Sequence, residues 1–149
     1  MDEQPRQDLP AGRSVLIVDD SRTTRRVVRR ALELARLGIA DIAEAADGEE
    51  AWAHLQAHPC DAILTDIHMP RLGGVALIER LLADPRLRRV PVVVLTSEGG
   101  AGRLGTLRAL RVSGYIHKPF RPERVRDALR DLWGDAPGET TDEADPRVA

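Results

Sequence analysis

The sequence predicts an α/β domain built on a parallel sheet with helices packed on both of its faces. Two observations carry this. Several short runs rich in Val, Ile and Leu are apolar at consecutive positions instead of alternately, which is the mark of strands buried on both faces. Between them lie segments whose apolar residues recur at helical spacing, so strand and helix alternate along the chain. That order implies right-handed βαβ units and an open, doubly wound architecture.

Residues 1–13 are polar and carry Pro5, Pro10 and Gly12, and they read as a disordered tail. Ser14–Val18 (SVLIV) is the first strand and ends at Asp19-Asp20. Ser21 is a suitable N-cap for a helix on which Val28, Ala31, Leu32 and Ala35 share a face, and Gly38 stops the pattern. Ile39–Ala45 is a weaker run read as a strand. Asp47 with Glu50 forms a variant of the capping box and opens a helix through Ala57. Asp61–Thr65 is a strand before Asp66, and Val75–Ala83 is an apolar helix that ends before Pro85. Val90–Leu95 is a strand before Thr96, and a fourth helix is expected before Gly114–His117, a short strand that ends at Lys118. Pro122 sits near the start of a fifth helix carrying Val125, Ala128, Leu129 and Leu132. Residues 134–149 hold five acids, one Arg and two prolines, and read as an acidic disordered tail. The expected organisation is one domain over 14–133 between two tails.

Composition narrows the function classes. A chain of 149 residues has room for one ordinary domain, so no attached output module is expected. The net charge of -2 gives no overall basic balance to recruit nucleic acid or an anionic membrane. Cys60 is the single cysteine, which excludes an internal disulfide framework and fits a reducing cytoplasm. No apolar run approaches the ~18 residues of a membrane span, and the N-terminus lacks a secretion-signal pattern. Of the 22 basic residues only Lys118 is a lysine.

In doubly wound sheets, ligands sit beyond the carboxyl ends of the strands, where strand order reverses. Asp19, Asp20, Asp66, Thr96 and Lys118 occupy those ends. If the order is 2-1-3-4-5, the first and third strands are neighbours and the three carboxylates share one cleft. Three anions crowd together only with a cation or a bound proton among them. An oxygen-rich site with open positions suits Mg²⁺, which keeps several waters and takes one or two carboxylates plus a phosphate oxygen. A hydroxyl and an ammonium suit the oxygens of a phosphoryl group.

The Asp19-Asp20 pair, Asp66 followed by Ile67-His68-Met69-Pro70, Thr96-Ser97 and Lys118-Pro119-Phe120 together resemble the CheY-like receiver domain of bacterial two-component response regulators. The resemblance spans about Ser14 to Trp133. It implies a flavodoxin-like (βα)5 fold of strand order 2-1-3-4-5, and a phosphoacceptor signalling protein instead of an enzyme, one that catalyses its own phosphotransfer and dephosphorylation. Asp66 would accept a phosphoryl group from a sensor histidine kinase or a histidine phosphotransfer protein. Asp19, Asp20, Asp66 and the backbone carbonyl of His68 would hold Mg²⁺, with Mn²⁺ as the alternative ion. Thr96 and Lys118 would meet the phosphoryl oxygens, and Thr96 with Tyr115 would form the switch. That switch would bias a protein-binding surface on the fourth helix, fifth strand and fifth helix. Pro70 and Gly74 would shape the loop after the third strand, and Pro119 would be a cis-proline that aims Lys118. His68 and Glu98 match positions that tune phosphoryl lifetime. Gly73, where an acidic residue often stands, and the missing glycine near Arg111 depart from the pattern. The protein would act in the cytoplasm on an unknown downstream protein target, with no direct nucleic-acid or membrane contact.

Other readings compete. Gly100-Ala101-Gly102-Arg103-Leu104-Gly105 is a literal G-x-G-x-x-G, but it lies four residues past the fourth apolar run instead of in the first βα turn, and the next strand ends on a lysine. An Asp-nucleophile hydrolase would want a D-x-D arrangement that Asp19-Asp20-Ser21 does not supply. An unphosphorylated interaction scaffold is the remaining alternative. Gly99, Gly100, Gly102 and Gly105 would each cost about 0.8–1.0 kcal/mol relative to Ala inside a helix, so the start of the fourth helix is expected to fray. Arg22, Arg25, Arg26, Arg29 and Arg30 on the first helix read as a solvated face or a kinase-docking surface. His54 and His58 have metal-ligand spacing without an evident third ligand, and Cys60 reads as a packed thiol.

Overall fold

In the computed structural model, residues 12–97, 110 and 112–134 are described. They form a five-stranded parallel sheet of order β2-β1-β3-β4-β5. Its strands are β1 (Arg13–Val18), β2 (Ile39–Ala45), β3 (Ala62–Asp66), β4 (Val92–Thr96) and β5 (Gly114–His117). Four helices are described: α1 (Arg22–Leu34), α2 (Gly48–Ala57), α3 (Gly74–Leu82) and α4 (Pro122–Trp133). The helix expected between β4 and β5, the fraying expected at its start, the glycine-rich run at 100–105, Glu98, Arg111 and residues 1–11 and 135–149 lie outside the described residues, whereas Arg13, expected in the N-terminal tail, opens β1.

The consecutive apolar residues of the strands are explained by two cores. Val15, Ile17, Leu64, Val93, Leu95 and Ile116 pack with residues of α1 and α4 on one face. Leu16, Val18, Ile63 and Val94 pack with residues of α2 and α3 on the other. Successive side chains on a strand point to opposite faces, so a central strand covered on both sides must be apolar throughout. Each fully buried Leu or Ile contributes about 1.5–3 kcal/mol of burial energy. The edge strand β2 is only half covered, and its burial alternates irregularly.

Local signals set the helix starts. The Ser21 side chain accepts from the Thr24 N–H at 3.1 Å and caps α1. Asp47 caps α2 by accepting from the Glu50 N–H at 2.9 Å. The Glu50 carboxylate reaches back to the Ala46 N–H at 2.8 Å, one residue before the cap, so this capping box is a displaced one. Pro122 occupies the first turn of α4, where its missing N–H costs nothing. The strand bounds shift slightly from expectation. β3 begins at Ala62, and Asp61 just before it bonds to Ser14 twice, its N–H donating to the Ser14 carbonyl at 2.8 Å and its carboxylate accepting from the Ser14 N–H at 2.7 Å. Among the described residues no helix is long and apolar enough to cross a membrane.

Candidate functional site

Parallel register delivers the site. Val18 pairs with Thr65 across β1 and β3, so Asp19 and Asp66 emerge side by side at the strand ends. Asp66 pairs with Leu95 on β4, which places Thr96 one step further out, and Thr96 in turn pairs with His117, just before Lys118. Asp19, Asp66, Thr96 and Lys118, far apart in sequence, are therefore brought to one end of the sheet, beside the point between β1 and β3 where its order reverses.

Carboxylate oxygens of Asp19, Asp20 and Asp66 all lie within 4.8 Å of one another. Asp19 and Asp66 are buried and Asp20 is exposed. Lys118 Nζ bridges the two buried acids, at 2.9 Å from Asp19 Oδ2 and 3.7 Å from Asp66 Oδ1. The other Asp19 oxygen accepts from the Ser21 N–H at 2.9 Å, and Arg25 donates to the Asp19 backbone carbonyl at 2.7 Å. The Lys118–Pro119 peptide bond is cis, and the Lys118 N–H donates to the Thr96 carbonyl at 2.7 Å.

Electrostatics distinguish Asp66 from an ordinary surface carboxyl. Burial, followed by the charge of Asp19, pushes its carboxyl up, while Lys118 and the N–H groups of Ile67 and His68 pull it partly back. The Ile67 N–H donates to Asp66 Oδ1 at 2.8 Å. This acid is therefore held in a fixed orientation but carries an incompletely neutralised charge. The donor set, three carboxylates with one ammonium, fits a hard divalent cation that prefers oxygen ligands.

The turn after β3 is built tightly around Asp66. The Gly74 N–H donates to the Ile67 carbonyl at 2.9 Å. A side chain at Gly74 would meet the Asp66 carbonyl oxygen and would lie 2.8 Å from Ile67 Cα, so only glycine fits without backbone movement. Pro70 is exposed in the same turn, and His68 is exposed beside Asp66. Gly73 stands at the N-cap of α3 with no side-chain cap hydrogen bond, the local cost of having no acid there. Tyr115 is half-buried and shares an open groove with Thr96, His117 and Phe120.

Two further groups escaped the sequence reading. Glu44 on β2 accepts from Arg25 at 2.8 Å and from Arg29 at 2.7 Å, and Arg29 also donates to the Ile42 carbonyl. The arginine cluster on α1 is thus divided: Arg25 and Arg29 staple the helix to β2, and Arg25 also to Asp19 just past β1, while Arg22, Arg26 and Arg30 remain exposed. Asp47 is the other, since it pairs with Arg71 as well as capping α2. No short-range signal marks either group, because the partners are 15 to 24 positions apart. His54 and His58 stack ring on ring at 4.3 Å, and the one group of potential metal ligands among the described residues is the aspartate trio.

The fold and this cleft define a class: doubly wound α/β domains with an acidic pocket and a lysine at the switch point. Residues 15–130 match the model of the response regulator receiver domain. The chain is 38% identical over 121 residues to chemotaxis protein CheY1 of Helicobacter pylori, covering 80% of this chain and 96% of that protein. It is 36% identical over 126 residues to the chemotaxis protein CheY homolog of Campylobacter jejuni, covering 84% of this chain and 95% of the relative. Among solved structures, the chemotaxis response regulator CheY4 of Vibrio cholerae superposes with a TM-score of 0.73 at 31% identity, covering 80% of this chain and 98% of that one. The Mn²⁺-bound form of response regulator Rcp1 superposes with a TM-score of 0.72 at 26% identity, covering 82% and 94%. The chain belongs to the response regulator receiver family and is of the CheY type, a signalling class distinct from the classical enzymes.

Proposed function

We propose that this protein is a phosphorylation-dependent relay: Asp66 accepts a phosphoryl group from a phosphohistidine on a sensor kinase or phosphotransfer protein. The observation that carries the reading is the convergence of Asp19, Asp20, Asp66 and Lys118 in one cleft, with Asp66 buried, oriented and under-neutralised. An Asp66 carboxylate oxygen forms the new P–O bond as the P–N bond to histidine breaks, and the departing imidazole keeps the electron pair. Lys118 is placed to follow the oxygen charge, as a fixed cation near the developing negative charge. Thr96, one step out on the neighbouring strand, supplies the hydroxyl that a phosphorylated Asp66 can draw inward. Asp19, Asp20, Asp66 and the His68 carbonyl would hold Mg²⁺ or Mn²⁺, which when bound supplies charge neutralisation of the phosphoryl oxygens.

Output would pass through Tyr115 to a protein-binding surface on β5, α4 and the segment between β4 and β5. The role is that of a cytoplasmic intermediate acting on a protein target, and the chemotaxis relatives favour a signalling pathway of that kind. The test is incubation of the full chain with Mg²⁺ and a small phosphodonor, followed by intact mass. The expected result is a gain of one labile phosphoryl group that requires the ion and disappears in Asp66→Asn. No gain under any donor would replace the relay with an unphosphorylated scaffold, and turnover of an organic substrate would replace it with a hydrolase.

A further inference from the structure

The turn between β3 and α3 begins with the two N–H groups that hold the Asp66 carboxylate. Its far half is anchored elsewhere, on the N-terminus of α2. Arg71 donates to Asp47 Oδ2 through Nε at 2.8 Å and approaches it through Nη2 at 2.7 Å. The other Asp47 oxygen is occupied by the Glu50 N–H, so both oxygens of a buried carboxylate are committed. Next to it the Gly48 N–H donates to the Leu72 carbonyl at 2.9 Å, and a side chain at Gly48 would lie 2.8 Å from Leu72 Cβ. Arg71 itself sits at φ 64, a region an arginine adopts only where its surroundings impose it.

We propose that Asp47 and Arg71 form a latch that positions the β3–α3 turn, and through it the Asp66 carboxylate and the His68 carbonyl, for cation binding. Neither residue touches the cleft; both are positioning residues. This rests on the reading of the cleft as a divalent-cation site. The latch ties the α2 cap to the start of the turn through a short, closed path, since the Gly74 N–H fastens the turn's end to Ile67. Groups hydrogen-bonded directly to metal ligands commonly change metal affinity by about 10–100-fold when removed, and the latch, acting one step further out through the backbone of the turn, is assigned the lower end of that range.

The sign of the effect separates the latch from plain electrostatics. Removing the Arg71 charge near an anionic cleft strengthens cation binding by Coulomb's law alone, whereas loss of the latch weakens it. The experiment titrates the full chain with Mn²⁺ alone, following free ion by electron paramagnetic resonance, in wild type, Arg71→Ala, Arg71→Lys and Arg80→Ala. Arg80, exposed on α3 and 3.9 Å from Glu49, controls for the loss of a nearby positive charge. The expected result is about tenfold weaker Mn²⁺ binding in Arg71→Ala, partial recovery in Arg71→Lys and no weakening in Arg80→Ala. Amide exchange on the ion-free proteins supplies the second arm: the Ile67 N–H should lose protection in Arg71→Ala while the β1 and β4 amides keep theirs. Unchanged or tighter Mn²⁺ binding, or an Ile67 amide as protected as in wild type, overturns the latch. If wild type binds no Mn²⁺, the cation reading of the cleft fails, and the exchange arm still decides whether Arg71 holds the turn.

Discussion

Lys118 is the lone lysine among 22 basic residues, and its ammonium stands between two buried carboxylates. A compact point charge can occupy that gap and still reach a phosphoryl oxygen, whereas a planar guanidinium needs more room and a different donor geometry. Lys118→Arg is therefore expected to impair phosphoryl acceptance or output although the charge is kept. The check is the labelled fraction with a small phosphodonor against wild type, together with response of the switch surface; normal values for both would make the lysine incidental. Asp66 yields a prediction of opposite flavour. Its carboxyl is raised by burial and by Asp19, so the ionised form costs stability at neutral pH. In the ion-free protein Asp66→Asn should raise stability by roughly 1 kcal/mol, the ordinary scale of a single substitution, while abolishing phosphorylation. Denaturant midpoints with no divalent ion present measure the gain. At Cys60, burial pushes the thiol up to about 11, so alkylation at neutral pH should be slow.

At the scale of elements, the turn after β3 has little room for change. Gly74→Ala must displace the backbone of Asp66 and Ile67, since the atoms its methyl meets are backbone atoms. A loss of about 1–3 kcal/mol is expected, with weaker cation binding because the displaced residue carries one of the three cleft carboxylates. Thermal midpoints and Mn²⁺ titration report the two effects separately. The central strands were legible in the sequence because both faces are buried, which leaves an uninterrupted apolar run. β2 was faint because it lies at the sheet edge and alternates irregularly. Asp19, Asp66, Thr96 and Lys118 were legible for a topological reason: each stands at or just past the end of an apolar run, where this architecture gathers its ligands. Glu44 and the Asp47–Arg71 pair were not. Glu44 reads as one more exposed acid on a weak strand, and Asp47 as a cap and no more, because their second partners arrive only through tertiary packing.

At the scale of the whole molecule, three carboxyls, Glu44, Asp47 and Asp66, respond to acid in two opposite ways. Burial pushes Glu44 up, but Arg29 and Arg25 outweigh it and hold the group below its ordinary value. Burial likewise opposes the Glu50 N–H and Arg71 at Asp47, and the net shift is again downward. Both contribute stability that is present above their unfolded values and is lost as pH falls through the folded ones. Asp66 runs the other way: its ionised form costs stability above its raised folded value, and that cost is relieved as pH falls toward the unfolded value. The ion-free protein should therefore gain stability slightly on mild acidification before unfolding at lower pH, where Glu44 and Asp47 take up protons. A divalent ion bound to the carboxylate cleft reverses the first step. At about a hundredfold its Kd it adds about 2.7 kcal/mol at neutral pH, and this increment shrinks as Asp66 protonates. Asp20 separates the ion's contribution from the fold's, because it is exposed and only its two companions are buried. In Asp20→Ala the ion-free stability should be equal to wild type or higher, through loss of one of three crowded charges, and the Mg²⁺ increment should be largely lost. Thermal midpoints across acid to neutral pH, with and without Mg²⁺, give all of these quantities from one set of samples. A Mg²⁺ increment that is independent of pH, or that survives in Asp20→Ala, would place the ion somewhere other than this cleft.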